Sequence, residues 1–198
     1  MSVDTILKTE LFRIGVPVSP SILAQLVLYI EELERWNRTI NLTSLKGAEL
    51  VRRLVAEPAW IGQELQLSGI LADIGSGNGC PGVALCATRN LERVHLIEAR
   101  TKRAAFLRHV AQRLELAQIA VHRNRVEDIE EKLESVDCIT LQAVSPTPHL
   151  MNGLRRIFPA TTRVVWITSG AAAPTEDASR ISVPGSNSEV WVFRLDQI

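Results

Sequence analysis

The chain has 198 residues, 46% of them hydrophobic, and its 22 Lys+Arg balance 22 Asp+Glu to a formal net charge of zero. That size fits one α/β domain plus a modest extension, buried without staples, and the charge balance argues against a nucleic-acid binder held by overall charge alone. No apolar run approaches the roughly 20 residues of a bilayer span, and a start carrying Asp4 and Glu10 lacks the order of a secretory signal, so a cytoplasmic protein is expected.

In chain order, the first part is helical. Ser19 followed by Pro20 is an N-cap and first-turn pair, after which Ile22, Leu23, Leu26, Val27, Ile30 and Leu33 recur at helical spacing toward Trp36. A second helix is expected from Ala48 to Ala56, stopped by Pro58, with Asn37 to Leu45 as the connection. From residue 70 short apolar strands alternate with helical segments, the pattern of a parallel sheet covered on both faces. Strands are predicted at Ile70–Ile74, Val94–Glu98, Ile119–His122, Asp137–Leu141, Arg163–Thr168 and Glu189–Leu195. Helices are predicted at Gly82–Thr88, Lys102–Leu114, Val126–Leu133 and His149–Phe158, and Gly170–Ser188 reads as loop with one short strand near Ile181. Two units follow: a helical extension over 1–69 and an α/β domain over 70–198.

The predicted strand Ile70–Ile74 runs into Gly75-Ser76-Gly77-Asn78-Gly79-Cys80-Pro81-Gly82 and then into a helix. Strand, glycine loop and helix in that order cradle a nucleotide-like ligand, because glycines permit positive φ and close backbone approach while a helix N-terminus offers free amides. The next strand ends in Glu98, 23 positions after Gly75, where a carboxylate can accept two ribose hydroxyls. The spacing Gly75-x-Gly77-x-Gly79, with an acid opening the loop at Asp73, fits an S-adenosylmethionine-dependent methyltransferase better than a dehydrogenase.

Charge is uneven along the chain. From Arg89 to Arg125 nine basic residues face three acids, and from Val126 to Asp137 six acids accompany only Lys132. The basic stretch is either an RNA-facing patch or a solvated helix surface. The cysteines Cys80, Cys86 and Cys138 lack paired spacing and the four histidines lack metal-ligand spacing, so reduced thiols and no metal site are expected.

Four segments carry a family resemblance: Trp36-Asn37-Arg38-Thr39-Ile40-Asn41-Leu42-Thr43-Ser44, Asp73 to Gly82, Lys102-Arg103-Ala104-Ala105-Phe106-Leu107, and Asn124-Arg125-Val126-Glu127. Together, in this order and spacing, they resemble the RsmG (GidB) family. The resemblance implies a class I methyltransferase with a Rossmann-like sheet flanked by helices and an N-terminal helical extension, acting on guanine N7 of 16S ribosomal RNA or the 30S subunit, with S-adenosylmethionine as cofactor; a monomer is expected. It further implies that Gly75, Ser76, Gly77 and Gly79 contact the methionine part and Glu98 the ribose, while Val126 and Glu127 lie beside the adenine; Asp73, which opens the loop, and Gln142, at a strand tip, are also expected among the cofactor-binding residues. Lys102 and Arg103 would face cofactor or RNA phosphate, or simply start an exposed helix.

The chain departs from the family pattern where the acceptor would bind. Arg53, Ala56 and Glu57 stand where the family has His and Asp-Ser, Gln142 replaces an Arg, Ser169 a Lys, and Cys80 a larger apolar residue. Two fixed cations are thereby lost from the expected rim. Guanine N7 bears no proton, so attack on a sulfonium methyl needs positioning and exclusion of water and no general base; no catalytic residue is assigned. Three functions fit these residues: the ribosomal RNA methyltransferase, a catalytically silent cofactor- and RNA-binding relative, and a methyltransferase with a small-molecule acceptor. Trp36 either stacks on a base or packs the helical core, Asn41 and Thr43 either cap a turn or touch the cofactor, and Gln142 either reads a base edge or satisfies backbone groups.

Overall fold

A computed structural model describes residues 1–130, 133 and 135–197. Seven strands form one sheet: β1 (Gly69–Ile74), β2 (Leu91–Ile97), β3 (Ile119–His122), β4 (Cys138–Gln142), β5 (Arg163–Thr168), β6 (Ser179–Ser182) and β7 (Glu189–Arg194). Their spatial order is β3-β2-β1-β4-β5-β7-β6, with β1 to β5 parallel and β7 antiparallel to both β5 and β6. The strand order reverses between β1 and β4, and in an open α/β sheet that reversal leaves a crevice beyond the carboxyl ends of the strands. The short strand expected near Ile181 is β6, the outermost strand beyond β7.

Helices α1 (Val3–Ile14), α2 (Pro20–Asn37), α3 (Gly47–Val51) and α4 (Glu57–Glu64) precede the sheet. Ser19 caps α2 by accepting a hydrogen bond from the Ile22 amide, and Pro20 occupies the first turn, where its missing N–H costs nothing. Helix α1 begins on a Ser2 cap and stops at Gly15, whose φ of 76° is the left-handed conformation a glycine adopts at low cost. Leu7, Leu26 and Leu33 share one apolar cluster with Leu71, Leu96 and Val165 of the sheet, so the N-terminal helices and the sheet are built on a common core.

The second helix does not stop before Pro58. A π turn, Arg52–Ala56, joins α3 to α4, and the Glu57 amide donates to the Arg52 carbonyl five residues back. Proline cannot donate to the carbonyl four residues before it, and the widened turn is how the helix runs on through that missing bond to Glu64.

Helices α5 (Gly82–Thr88), α6 (Thr101–Arg113) and α7 (Pro148–Ile157) follow in the expected places. The expected helix over Val126–Leu133 is replaced by one 3-10 turn, Val126–Asp128, which Ile129 leaves in an extended conformation. Both the Glu127 and the Ile129 carbonyl accept from the Arg156 guanidinium of α7, so backbone acceptors a helix would have paired internally are satisfied from outside. Residues 131 and 132 of that expected helix, and Glu134 of the acidic run, lie outside the described residues.

Candidate active site at the sheet switch point

Beyond the ends of β1 and β4 lies a cleft of about 940 Å³, lined by the glycine loop, Glu98, Gln142 and the segment from Leu42 to Leu45. Gly75, Gly77 and Gly79 have φ of 71°, 50° and 92°, so the loop takes a course that side chains rarely permit. Gly75 and Ser76 donate their amides to the Ile97 carbonyl of β2, which ties the loop to the neighbouring strand. A Cβ at Gly75 would meet Val144 Cγ2 at 2.8 Å, whereas at Gly77 the nearest atom would be Arg103 Nη1 at 3.5 Å. The loop is therefore closed on one side and open to the cleft on the other.

Glu98 is buried at the tip of β2. Its Oε2 accepts from the Gly77 amide at 3.0 Å and its Oε1 from the Arg100 amide at 2.7 Å. An ionised carboxylate has about four lone-pair directions, so two donors leave room for more. The structure thus brings Gly75, Ser76, Gly77, Glu98 and Gln142 to one cleft.

The other positions singled out in the sequence sit behind that surface. Asp73 is buried beneath the loop, opposite Thr140 of β4 in register, accepting from Thr140 Oγ1 at 2.8 Å and from the Gly82 amide at 3.4 Å. Burial raises its carboxyl to about 6, against the opposing effect of its hydrogen bonds to Thr140, Ser76 and Gly82, with nearby Glu98 adding to the rise. The Gly82 amide at the start of α5 is thus held by Asp73. Gly79 packs under the loop, where a Cβ would lie 2.8 Å from Val83 Cγ2 and 3.3 Å from the Tyr29 hydroxyl. Tyr29 of α2 donates to the Asn78 carbonyl at 2.9 Å, so the N-terminal helices brace the loop from behind. Val126 is buried, the Glu127 side chain lies against Gly153, and Arg125 is the member of that motif that reaches the cleft.

Trp36 packs on Phe106, with ring centroids 5.7 Å apart, and beside His109, which assigns it to the core. Asn37 organises the following turn: its Oδ1 accepts from the Leu42 and Thr43 amides and its Nδ2 donates to the Thr43 carbonyl. Thr43 thereby reaches the cleft, and the Asn41 carbonyl accepts from Arg103 at 3.2 Å, holding that guanidinium above Gly77. Lys102 points to a shallow neighbouring pocket, which it shares with Arg100 and Arg103.

The cleft is not stripped of cations. Arg52, Arg53, Arg100, Arg103 and Arg125 line it against Glu49, Glu57 and Glu98. Gln142 and Ser169 line an adjoining pocket of about 300 Å³, and Arg53 lines both. Behind Arg53, Glu57 is buried and accepts from the hydroxyls of Ser186 and Ser188 at 2.6 Å each, while Arg53 Nη1 donates to Ser188 Oγ at 2.6 Å. The four-residue spacing of Arg53 and Glu57 on one helix was a readable ion-pair signal; no local pattern foretold that the turn between β6 and β7 would meet them.

The family model described as rRNA small subunit methyltransferase G matches residues 22–180. The Ribosomal RNA small subunit methyltransferase G of Wolinella succinogenes is 31% identical over 160 residues, 81% of this chain and 82% of that protein. Its counterpart in Granulibacter bethesdensis is 32% identical over 184 residues, 88% and 84% of the two chains. For the counterpart in Chloroflexus aggregans the match is 35% over 136 residues, 66% of this chain and 57% of that protein. Among solved structures, a mutant of MtNAS in complex with S-adenosylmethionine aligns with a TM-score of 0.55 at 16% identity, covering 84% of this chain and 72% of that one. At that identity the likeness concerns the fold.

Proposed function

The chain belongs to the rRNA small subunit methyltransferase G family, and we propose that it transfers a methyl group from S-adenosylmethionine to small-subunit ribosomal RNA, with guanine N7 as the accepting atom. The observation that carries this reading is the position of the open face of the glycine loop, at the switch point of the sheet and directly across from the Glu98 carboxylate.

The residues present fit the methyl donor. The loop leaves space above Gly77 that a side chain would fill, and the Glu98 carboxyl is anchored beside it by the Gly77 amide. Gly75, Ser76 and Gly77 with Arg103 form the methionine end, the Arg103 guanidinium supplying the charge that suits its carboxylate. Glu98 takes the ribose hydroxyls, Arg125 and the turn at Val126 and Glu127 flank the adenine side, and Gln142 closes the floor. Asp73 and Gly79 act from below by fixing the loop. Bound S-adenosylmethionine supplies the electrophilic methyl group and its sulfonium charge.

What this chain adds is placement. Guanine N7 presents a lone pair without a proton, so no cleft residue has to remove one, and alignment of the nucleophile with water excluded is sufficient catalysis. Leu42, Leu45 and Leu54 provide apolar wall for that exclusion. Five arginines against three glutamates leave the lining net positive, which favours a polyanionic acceptor over a small neutral molecule. Residues 1–69 serve as an extension that braces the loop of the 70–198 methyltransferase unit, and a cytoplasmic monomer working on 16S RNA or the 30S subunit completes the reading. Among the described residues no helix is long and apolar enough to cross a membrane.

Two measurements test it. Titration calorimetry with S-adenosylmethionine is expected to show one site at micromolar concentrations, and silence at millimolar ligand removes the donor half of the reading. Label from methyl-tritiated S-adenosylmethionine is expected in undermethylated 16S RNA or 30S subunits, and a protein that binds the donor but leaves both unlabelled is the silent relative.

A further inference from the structure

Arg53 sits on the π turn between α3 and α4, where the widened helix brings its side chain to the junction of the main cleft and the pocket beneath Ser169. About a third of that side chain is exposed, although Glu57 beside it is 2% exposed. Among the described residues Arg53 is engaged only through Nη1, which donates to Ser188 Oγ and lies 3.6 Å from Glu57 Oε2 as an ion pair. The Ser188 hydroxyl in turn donates to Glu57 Oε2, and Ser186 holds the other carboxylate oxygen. Guanidinium, hydroxyl and buried carboxylate thus form a chain that fixes the orientation of the fork and leaves its Nε and Nη2 edge unspent. A fork held in this way matches the two oxygens of a phosphate.

The neighbouring floor is neutral. Gln142 Oε1 accepts from the Cys80 thiol at 3.2 Å, so its carbonyl end is occupied, and Ser169 carries no charge. The Cys80 thiol is also near the Arg53 carbonyl, at 3.6 Å, which places the backbone of Arg53 against the same floor.

We propose that Arg53 is the acceptor-side cation of this protein: it grips an RNA phosphate next to the methylated nucleotide, and Glu57, Ser186 and Ser188 hold it in position. It supplies from the helical extension the charge that Gln142 and Ser169 do not provide. Glu57 and the two serines are positioning residues, since they act through Arg53. The proposal rests on the reading of the cleft as an RNA methyltransferase site.

The test measures binding of in-vitro-transcribed 16S RNA by the full-length protein across a salt series, together with its melting temperature and its affinity for S-adenosylmethionine. Removing Arg53 alone strands the buried Glu57, so the double variant Arg53→Met with Glu57→Gln is used. It is expected to bind S-adenosylmethionine as the wild type does, to bind RNA about tenfold more weakly, and to lose about one phosphate contact from the salt dependence. Arg53→Lys keeps the charge and the fold but loses the fork: the salt dependence is expected to stay and RNA affinity to fall several-fold. Ser188→Ala is expected to do the same by releasing the fork. RNA binding and salt dependence unchanged in the double variant, or full affinity in Arg53→Lys, overturns the assignment while leaving the proposed function intact. Failure of the wild type itself to bind RNA overturns both.

Discussion

The two sides of the cleft are made of different material. The side we propose for the donor is backbone: three glycines at positive φ, amides donated to Ile97 and Glu98, and a strand tip that brings one carboxylate to the loop. The side we propose for the acceptor is side chain: Arg53, Gln142 and two serines that arrive from a helical turn, a strand and a hairpin turn far apart in the chain. A backbone site tolerates few alternatives because it is specified by where side chains cannot be. A side-chain site can be rebuilt by exchanging residues, and here a neutral Gln142 and Ser169 are accompanied by a cation at Arg53.

If that contrast is right, the most damaging changes lie on the donor side. Gly82→Ala would place a Cβ 2.4 Å from Leu96 Cδ2 and 2.9 Å from Asp73 Oδ2, with Leu96 and Asp73 both buried. A loss of stability on the order of 3 kcal/mol is expected, with binding of S-adenosylmethionine lost as well, read by chemical denaturation and calorimetry. A Gly82→Ala protein that binds the donor normally breaks the contrast.

A similar amount of energy is expected in the pH dependence of the loop support. The carboxyl of Asp73 is raised from 3.8 to about 6 by burial, so the folded state holds that proton more tightly than the unfolded chain does. Its contribution is fully favourable below pH 3.8, is lost as pH rises through about 6, and amounts to roughly 3 kcal/mol. Stability relative to Asp73→Asn should fall by this amount across that window. His95 and His122, whose rings meet at 2.9 Å and are held below their ordinary range chiefly by burial, run the other way as pH falls below 6.5. The difference between wild type and Asp73→Asn isolates the carboxyl; equal pH slopes in the two proteins would remove it from the loop's energetics.

Smaller effects sharpen the picture. Glu98→Gln keeps the size of the side chain but offers an amide where two backbone N–H groups need acceptors. About 2 kcal/mol, near thirtyfold in affinity for S-adenosylmethionine, is expected to go, with RNA binding retained. Tyr29→Phe removes only the bond to the Asn78 carbonyl and should cost about 1 kcal/mol of stability, with weaker donor binding as the sign that the brace matters. Ala143, at φ 56°, turns the chain just after Gln142, and Ala143→Gly should be neutral or stabilising by less than about 1 kcal/mol in thermal melts.

The same division decided what could be read in the sequence. Strand β1, the glycine loop and Glu98 are contiguous or separated by one helix, so their spacing carried the geometry, and the alternation of strands and helices carried the sheet. Pro58 was misleading because a π turn, which has no residue signature, let the helix pass through it. The helix expected after Val126 failed because Arg156, thirty positions later, satisfies the carbonyls there. By its place in the motif Asp73 belongs with the cofactor residues, yet its side chain points down to Thr140, a contact set by sheet register between distant strands. The loss of cations at 142 and 169 was visible, whereas the approach of Arg53 depended on a tertiary contact with Ser188, 135 positions away.

Methyl transfer into undermethylated 16S RNA, followed by digestion to nucleosides, tests most directly whether an intact donor site faces a working RNA acceptor site. Label is predicted in 7-methylguanosine, retained at saturating RNA in Arg53→Lys and abolished in Gly82→Ala. Label in another nucleoside, or none from a protein that demonstrably binds both S-adenosylmethionine and RNA, would contradict it.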